Sequence, residues 1–152
     1  MNDTPEELVS MTVDNLRLVD KQAHAERLYE ALGAGDAETI RDLLTEDFRG
    51  HITPGMPLGT GGDHAGADAM MRNAWWVFGA NFRVRPVADE FRELDDGRLF
   101  VRGHYRGRSR ANDTPLDAEF IHLLTFDGDR VTALDQLTDS AEWRAALGRD
   151  GE

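Results

Sequence analysis

The sequence predicts an α+β fold in which helices cover one face of a curved antiparallel sheet. Three observations predict it. Apolar residues recur at helical spacing through the first half of the chain, they alternate in four strand-length stretches through the second half, and tight-turn signals separate those stretches. At 152 residues the chain has the length of one domain, and we read it as a single domain over residues 1–152 with a loose leader over 1–11.

After the leader, Val13, Leu16, Val19, Leu28, Ala31 and Leu32 fall on one helical face, and Gly33 and Gly35 stop that helix. Asp36 is placed to cap a short second helix carrying Ile40, Leu43 and Leu44. Phe48 to Ile52 reads as a short extended piece. The glycine- and proline-rich stretch from His51 to Gly66 follows, which reads as a loop and, by composition, as a lid over a cavity mouth. A third helix is expected from about Ala65 to Gly79, capped by Asp63. Ala67, Met70, Met71, Ala74, Trp75 and Phe78 form its stripe, with Trp76 to one side.

From Phe82 onward the period changes to two. Strands are expected at about 82–93, 98–109, 117–126 and 130–138. Asp95-Asp96-Gly97 and Asp127-Gly128-Asp129 mark hairpin turns, because glycine accepts the positive φ such turns need. Ser140 is placed to cap a final short helix that ends at Gly148.

Composition narrows the function. Hydrophobic residues make up 40% of the chain and include three Trp and seven Phe, enough large packing units for a folded core. The formal net charge of -12 argues against a nucleic-acid partner, since such affinity rests on Lys and Arg neutralising phosphates. Arg83, Arg85 and the arginines from Arg102 to Arg110 alternate with apolar residues and read as a solvated sheet face. Without cysteine there is no disulfide, thiolate nucleophile or Cys-based metal site. Met1 to Glu7 is acidic and no long apolar run follows it, so neither a secretory signal nor a membrane partner is read, and the cytoplasm is the default address.

The order helix, helix, Gly/Pro loop, helix and four long strands resembles the nuclear transport factor 2-like cone. The run from Glu119 to Val131, followed by Asp135-Gln136-Leu137-Thr138-Asp139 and a helix ending in Leu147-Gly148, is similar to the SnoaL-like polyketide cyclases. The resemblance implies a cone-shaped curved antiparallel sheet packed on three N-terminal helices, around a hollow that takes an apolar small molecule. It also implies a homodimer paired through the exposed sheet face. His122 stands where that group carries a pocket histidine. Gln136 stands where it usually carries a catalytic aspartate, so its acid/base aldol mechanism does not carry over, because an amide can only exchange hydrogen bonds.

His122 shares a strand face with Phe120 and Leu124, which leaves two readings, a satisfied core histidine or a neutral pocket base or donor. Gln136 shares its face with Leu134 and Thr138, as a pocket amide or one bonded to main chain. Tyr105, rather than His104, is expected to face inward. The catalytic candidates are therefore His122, Gln136, Tyr105, Asp139 and His64. The candidates for substrate contact are Trp75, Trp76, Met71, Phe78, Phe120, Leu124, Leu134, His51 and Met56. His51, His64 and Asp63 admit a metal reading, but no third ligand is indicated on either side of the flexible segment, and no metal site is expected. Gly59-Thr60-Gly61-Gly62 lacks the Lys-Ser/Thr of a phosphate-binding loop.

The leading functional expectation is a secondary-metabolism enzyme that closes or rearranges a ring of a polyketide-like intermediate by positioning and hydrogen bonding, with no cofactor. Two alternatives stand beside it: an epoxide hydrolase or hydroxylase on the same fold, and a non-catalytic ligand-binding or dimerisation module.

Overall fold

The computed structural model describes residues 17–148. The leader over 1–11, with Val13 and Leu16, lies outside the described residues. Helix α1 (Leu18–Ala34) buries Ala25, Leu28, Tyr29 and Ala31, whereas Val19, expected on that face, is exposed. Gly35, at φ 66°, ends it in the left-handed conformation that a side chain resists. Asp36 caps α2 (Ala37–Leu43) as expected, accepting the Thr39 N–H at 3.2 Å. Leu44 is not part of α2. It opens strand β1 (Leu44–Ile52), because it pairs with Val131 across the sheet.

The stretch read as a loop contains a strand. β2 (Gly62–Ala65) pairs antiparallel with β1, with His64 opposite Gly50. Asp63 is therefore a strand residue and not a helix cap, a role taken by Gly66 without a side-chain bond. The expected third helix is interrupted: α3 (Ala67–Met70) passes through a π-helical turn at Met71–Trp75 into α4 (Trp76–Asn81). The wider turn lets Met70, Met71, Ala74 and Phe78 all stay buried.

Strands β3 (Phe82–Glu93), β4 (Leu99–Ser109), β5 (Pro115–Asp127) and β6 (Arg130–Thr138) follow the predicted period closely. The six strands form one sheet in the order β2-β1-β6-β5-β4-β3. The sheet is mixed rather than wholly antiparallel, since β1 runs parallel to β6. The antiparallel expectation came from hairpin turns, and β1 and β6 are joined by no turn that could specify their direction. β3 is the free edge beside β4, and a bulge between Ala88 and Glu90 bends it.

One sheet face carries Leu99, Val101, Leu116, Ala118, Phe120, Leu124 and Leu134 into the core beneath the helices. The other presents Arg102, Glu119, Asp135 and an exposed Leu137. Helix α5 (Ser140–Leu147) closes the core through Trp143, which is 1% exposed and donates its indole N–H to Thr138 Oγ1 at 3.2 Å. Its N-cap position is held by Asp139 rather than Ser140, with no side-chain cap bond. Burying such side chains stabilises the fold by roughly 1.5–3 kcal/mol each.

Candidate active site

β5 aims His122 into the core because every second residue of that strand faces the helices. Its ring stacks on Phe120 at 4.1 Å between centroids, two residues along the same face. Register places Val101 opposite His122 on β4, and Gln136 opposite it on β6. Both imidazole nitrogens have phenol partners. Tyr29, from α1, meets Nδ1 at 2.8 Å, and Tyr105, from β4, meets Nε2 at 2.5 Å. Gln136 Nε2 donates to the Tyr105 hydroxyl at 3.3 Å. The amide oxygen of Gln136 accepts from both the N–H and the hydroxyl of Thr53, which fixes its orientation.

Burial sets the protonation states. With only phenols for partners, desolvation drives His122 down to about 3, so the ring is neutral across the physiological range. Desolvation pushes Tyr105 up, against a smaller opposing effect of the Gln136 bond. Tyr29 is held well above the usual phenol range, first by burial and then by the nearness of Tyr105. All three groups resist charge.

A proton count then constrains what they can do. Two phenols and a neutral imidazole carry three protons between them, and their two mutual hydrogen bonds use one proton each. One phenol O–H is left over. If Nδ1 carries the ring proton the spare donor is Tyr29, and if Nε2 carries it the spare donor is Tyr105.

Tyr29, Tyr105 and His122 line a chamber of about 70 Å³ whose other walls are mostly apolar: Leu28, Leu32, Trp75, Phe78, Val84, Pro86, Leu134 and Trp143. No carboxylate lines it. At Tyr29, Leu32, Gly33, Gly79, Val84, Arg85 and Pro86 the chamber meets a solvent-open groove of about 800 Å³ along the edge strand β3.

Among the residues expected at a site, His122, Tyr105, Trp75, Phe78 and Leu134 line the chamber, while Gln136 and Phe120 stand behind it, one bonded to Tyr105 and the other stacked on His122. The structure leaves others apart. Asp139 is exposed at the start of α5. Trp76, Met71 and Leu124 are not chamber walls, the last two being packed in the core. His64 is buried against the Thr60 carbonyl, and His51 pairs with the exposed Asp63 at 2.7 Å on the far side of β1. Met56 lies by a separate shallow depression lined by Pro54, Gly55, Gly59 and Arg144. The Gly/Pro stretch is thus no lid over this chamber. It is tied to the sheet end by Thr53 and by Arg144 donating to the Gly55 carbonyl. Among the described residues no group of three or more His, Asp and Glu could hold a metal ion.

Sequence reasoning missed Tyr29, Trp143 and Thr53. Tyr29 had a legible signal, since a phenol beside Leu28 and four residues from Ala25 on a buried helix face must find a polar partner.

Residues 25–134 match the model of the SnoaL-like domain. No curated protein matches the chain. Similar solved structures include an NTF2-like protein of unknown function from Burkholderia pseudomallei K96243, 25% identical, with a TM-score of 0.72 over 85% of this chain and 98% of that one. TerC, co-crystallised with polyporic acid, is 20% identical with a TM-score of 0.73 over 84% and 98%. IdmH of Streptomyces antibioticus, a proposed polyketide cyclase, is 20% identical with a TM-score of 0.70 over 84% and 97%. The fold is that of the NTF2-like proteins.

Proposed function

The chain belongs to the SnoaL-like domain family, and from that premise we propose that it is an enzyme that closes or rearranges a ring of an apolar, polyketide-like molecule without a cofactor. The observation that carries this reading is the neutral Tyr29–His122–Tyr105 system with its one spare proton, set in an otherwise apolar wall. Such a system can enolise a carbonyl with no charged intermediate on the protein. A substrate proton passes to the Tyr105 oxygen as that phenol gives its own to Nε2. Nδ1 gives its proton to Tyr29, and Tyr29 gives its own to the substrate carbonyl oxygen. Protons balance, and the ring ends as the other tautomer. Because burial disfavours both tyrosinate and imidazolium, the transfers have to be concerted.

The chamber admits only one end of a ligand and the groove takes the rest, which folds a flexible chain. Positioning of that kind supplies roughly 7–11 kcal/mol in ideal intramolecular cases. The epoxide-opening alternative is less well supported, since it needs a carboxylate and none lines the chamber. The non-catalytic alternative, a carrier or dimerisation module, has less support, since among the described residues Leu137 is a lone exposed apolar side chain on the outer sheet face and forms no patch.

Trp75 and Trp143 both wall the chamber, so ligand entry is expected to quench intrinsic fluorescence. A panel of linear polyene, aromatic polyketide and epoxide ligands should give saturable quenching for at least one class, followed by product formation that His122→Ala abolishes. Turnover that survives His122→Ala would overturn the reading, and binding without any product would favour the carrier.

A further inference from the structure

The groove outside the chamber is basic in an acidic protein. Arg83, Arg85, Arg106 and Arg110 line it against a single carboxylate, Glu30, although the chain carries a formal net charge of -12. Arg85 also lines the chamber, so one residue of β3 borders both compartments. In the β3–β4 register Arg85 stands directly opposite Arg106 and Arg83 opposite Arg108. Like charges in that arrangement destabilise a sheet, so fold stability does not account for them. Ion pairs relieve it only in part and only on β4, where Arg108 reaches Asp113 at 3.5 Å. Arg106 reaches Asp117 only at 3.6 Å, on a carboxylate already bonded to His104 at 2.6 Å. Among the described residues neither Arg83 nor Arg85 has an ion-pair partner, and Arg110 spends its Nε–H on the Gly79 carbonyl.

We propose that this groove is an anion subsite and that the ligand of the chamber is amphipathic, an apolar head joined by a tether to a carboxylate or phosphate held by Arg85 and Arg83. The proposal rests on the small-molecule reading of the chamber and adds the chemical class. The guanidinium fork binds either anion through paired N–H donors, which lysine could not match. The arrangement also orients the ligand: the charged end stays at the free edge of the sheet, so the apolar end enters toward His122. A simple edge-guarding role for the arginines, which keeps β3 from pairing with other chains, predicts changed solubility and no ligand effect.

The test uses ω-phenyl carboxylates with tethers of increasing length, together with their methyl esters and the matching alkyl phosphates, titrated calorimetrically against the whole protein. The expected result is a preference for the acids over their esters, peaking at one tether length and weakening with salt. Arg83→Ala, which alters the groove but no chamber wall, should weaken the acid by about threefold, in keeping with one exposed ion pair, and leave the ester unchanged. Equal loss for acid and ester, or no acid preference, would overturn the anion subsite. If the ester still binds in a His122-dependent way, that result leaves the chamber reading standing, whereas failure of every probe would count against both. A phosphate that outcompetes its carboxylate points to a phosphorylated tether, and the reverse points to a free acid. Either preference supports the subsite.

Discussion

His51 and His122 are each bonded to an acidic or polar neighbour, and the two regions that hold them differ in almost everything else. At the β1–β2 end, His51 pairs with an exposed Asp63 beside glycine-rich chain. At the centre, His122 has no carboxylate at all and lies between two phenols at the wall of a chamber. By residue type the first looks more like a catalytic dyad. By environment the second is the place we propose for chemistry, because His122 is buried, its partners on β4, β6 and α1 fix its geometry, and both phenols line a chamber that opens onto the groove. Composition points to the loop, and burial with satisfied hydrogen bonding points to the sheet.

The sharpest way to break that contrast is to remove each histidine in turn. His122→Ala is expected to lower turnover by about 10²–10⁴-fold, the usual range for a positioned proton-transfer group, while His51→Ala stays within twofold of the parent. A larger loss at His51, measured on the same substrate, would reverse the assignment.

Next in size is Gln136→Glu. The Thr53 donors can still be accepted, but a carboxylate would replace the amide N–H that faces Tyr105, drawing the phenol proton away from His122. Turnover should drop and acquire a new acidic limb in its pH profile. An unchanged profile would mean that the amide plays no part in orienting Tyr105.

A smaller effect is expected from Tyr29→Phe, which leaves Nδ1 without a partner at a cost of about 1–3 kcal/mol in unfolding free energy. One spare proton remains in the pair that is left, so ligand binding should persist while turnover falls, since the second arm of the relay is gone. Equal loss of affinity and turnover would show that the phenol serves binding alone.

The gentlest test uses stability against pH. His122 is neutral in the folded state down to about pH 3 but protonates near 6.5 once unfolded, so in that window the unfolded chain binds the extra proton. Folding stability should therefore fall as pH drops from about 6.5 toward 3, and His122→Gln should flatten that part of the curve in denaturant titrations.

Much of this architecture was legible in the sequence, for identifiable reasons. The four long strands showed themselves because one face is apolar and the other charged, and Asp36 and Gly35 marked their helix ends by side-chain chemistry that acts locally. β2 was hidden because it is only four residues long and its buried position is a histidine rather than an apolar residue, and the parallel pairing of β1 was hidden because no local turn encodes it. At the site, His122, Gln136 and Tyr105 could be placed on inward faces by counting in twos. Tyr29 could not be joined to them, since the contact between a helix residue and a strand 93 positions later is a property of packing. The same holds for Thr53, 83 positions from the amide that it orients.

Those separations bear on how the protein comes to be made. The parallel β1–β6 contact, the Tyr29–His122 bond and the Thr53–Gln136 bond each close a loop of most of the chain, and loop closure of that length is slow compared with forming the β3–β4–β5 meander. A nascent chain can hold a helix hairpin and later a meander long before it holds a chamber. The chamber takes Leu134 from β6 and Trp143 from α5, so its wall closes only once both have joined the helices and the meander that carry its other residues.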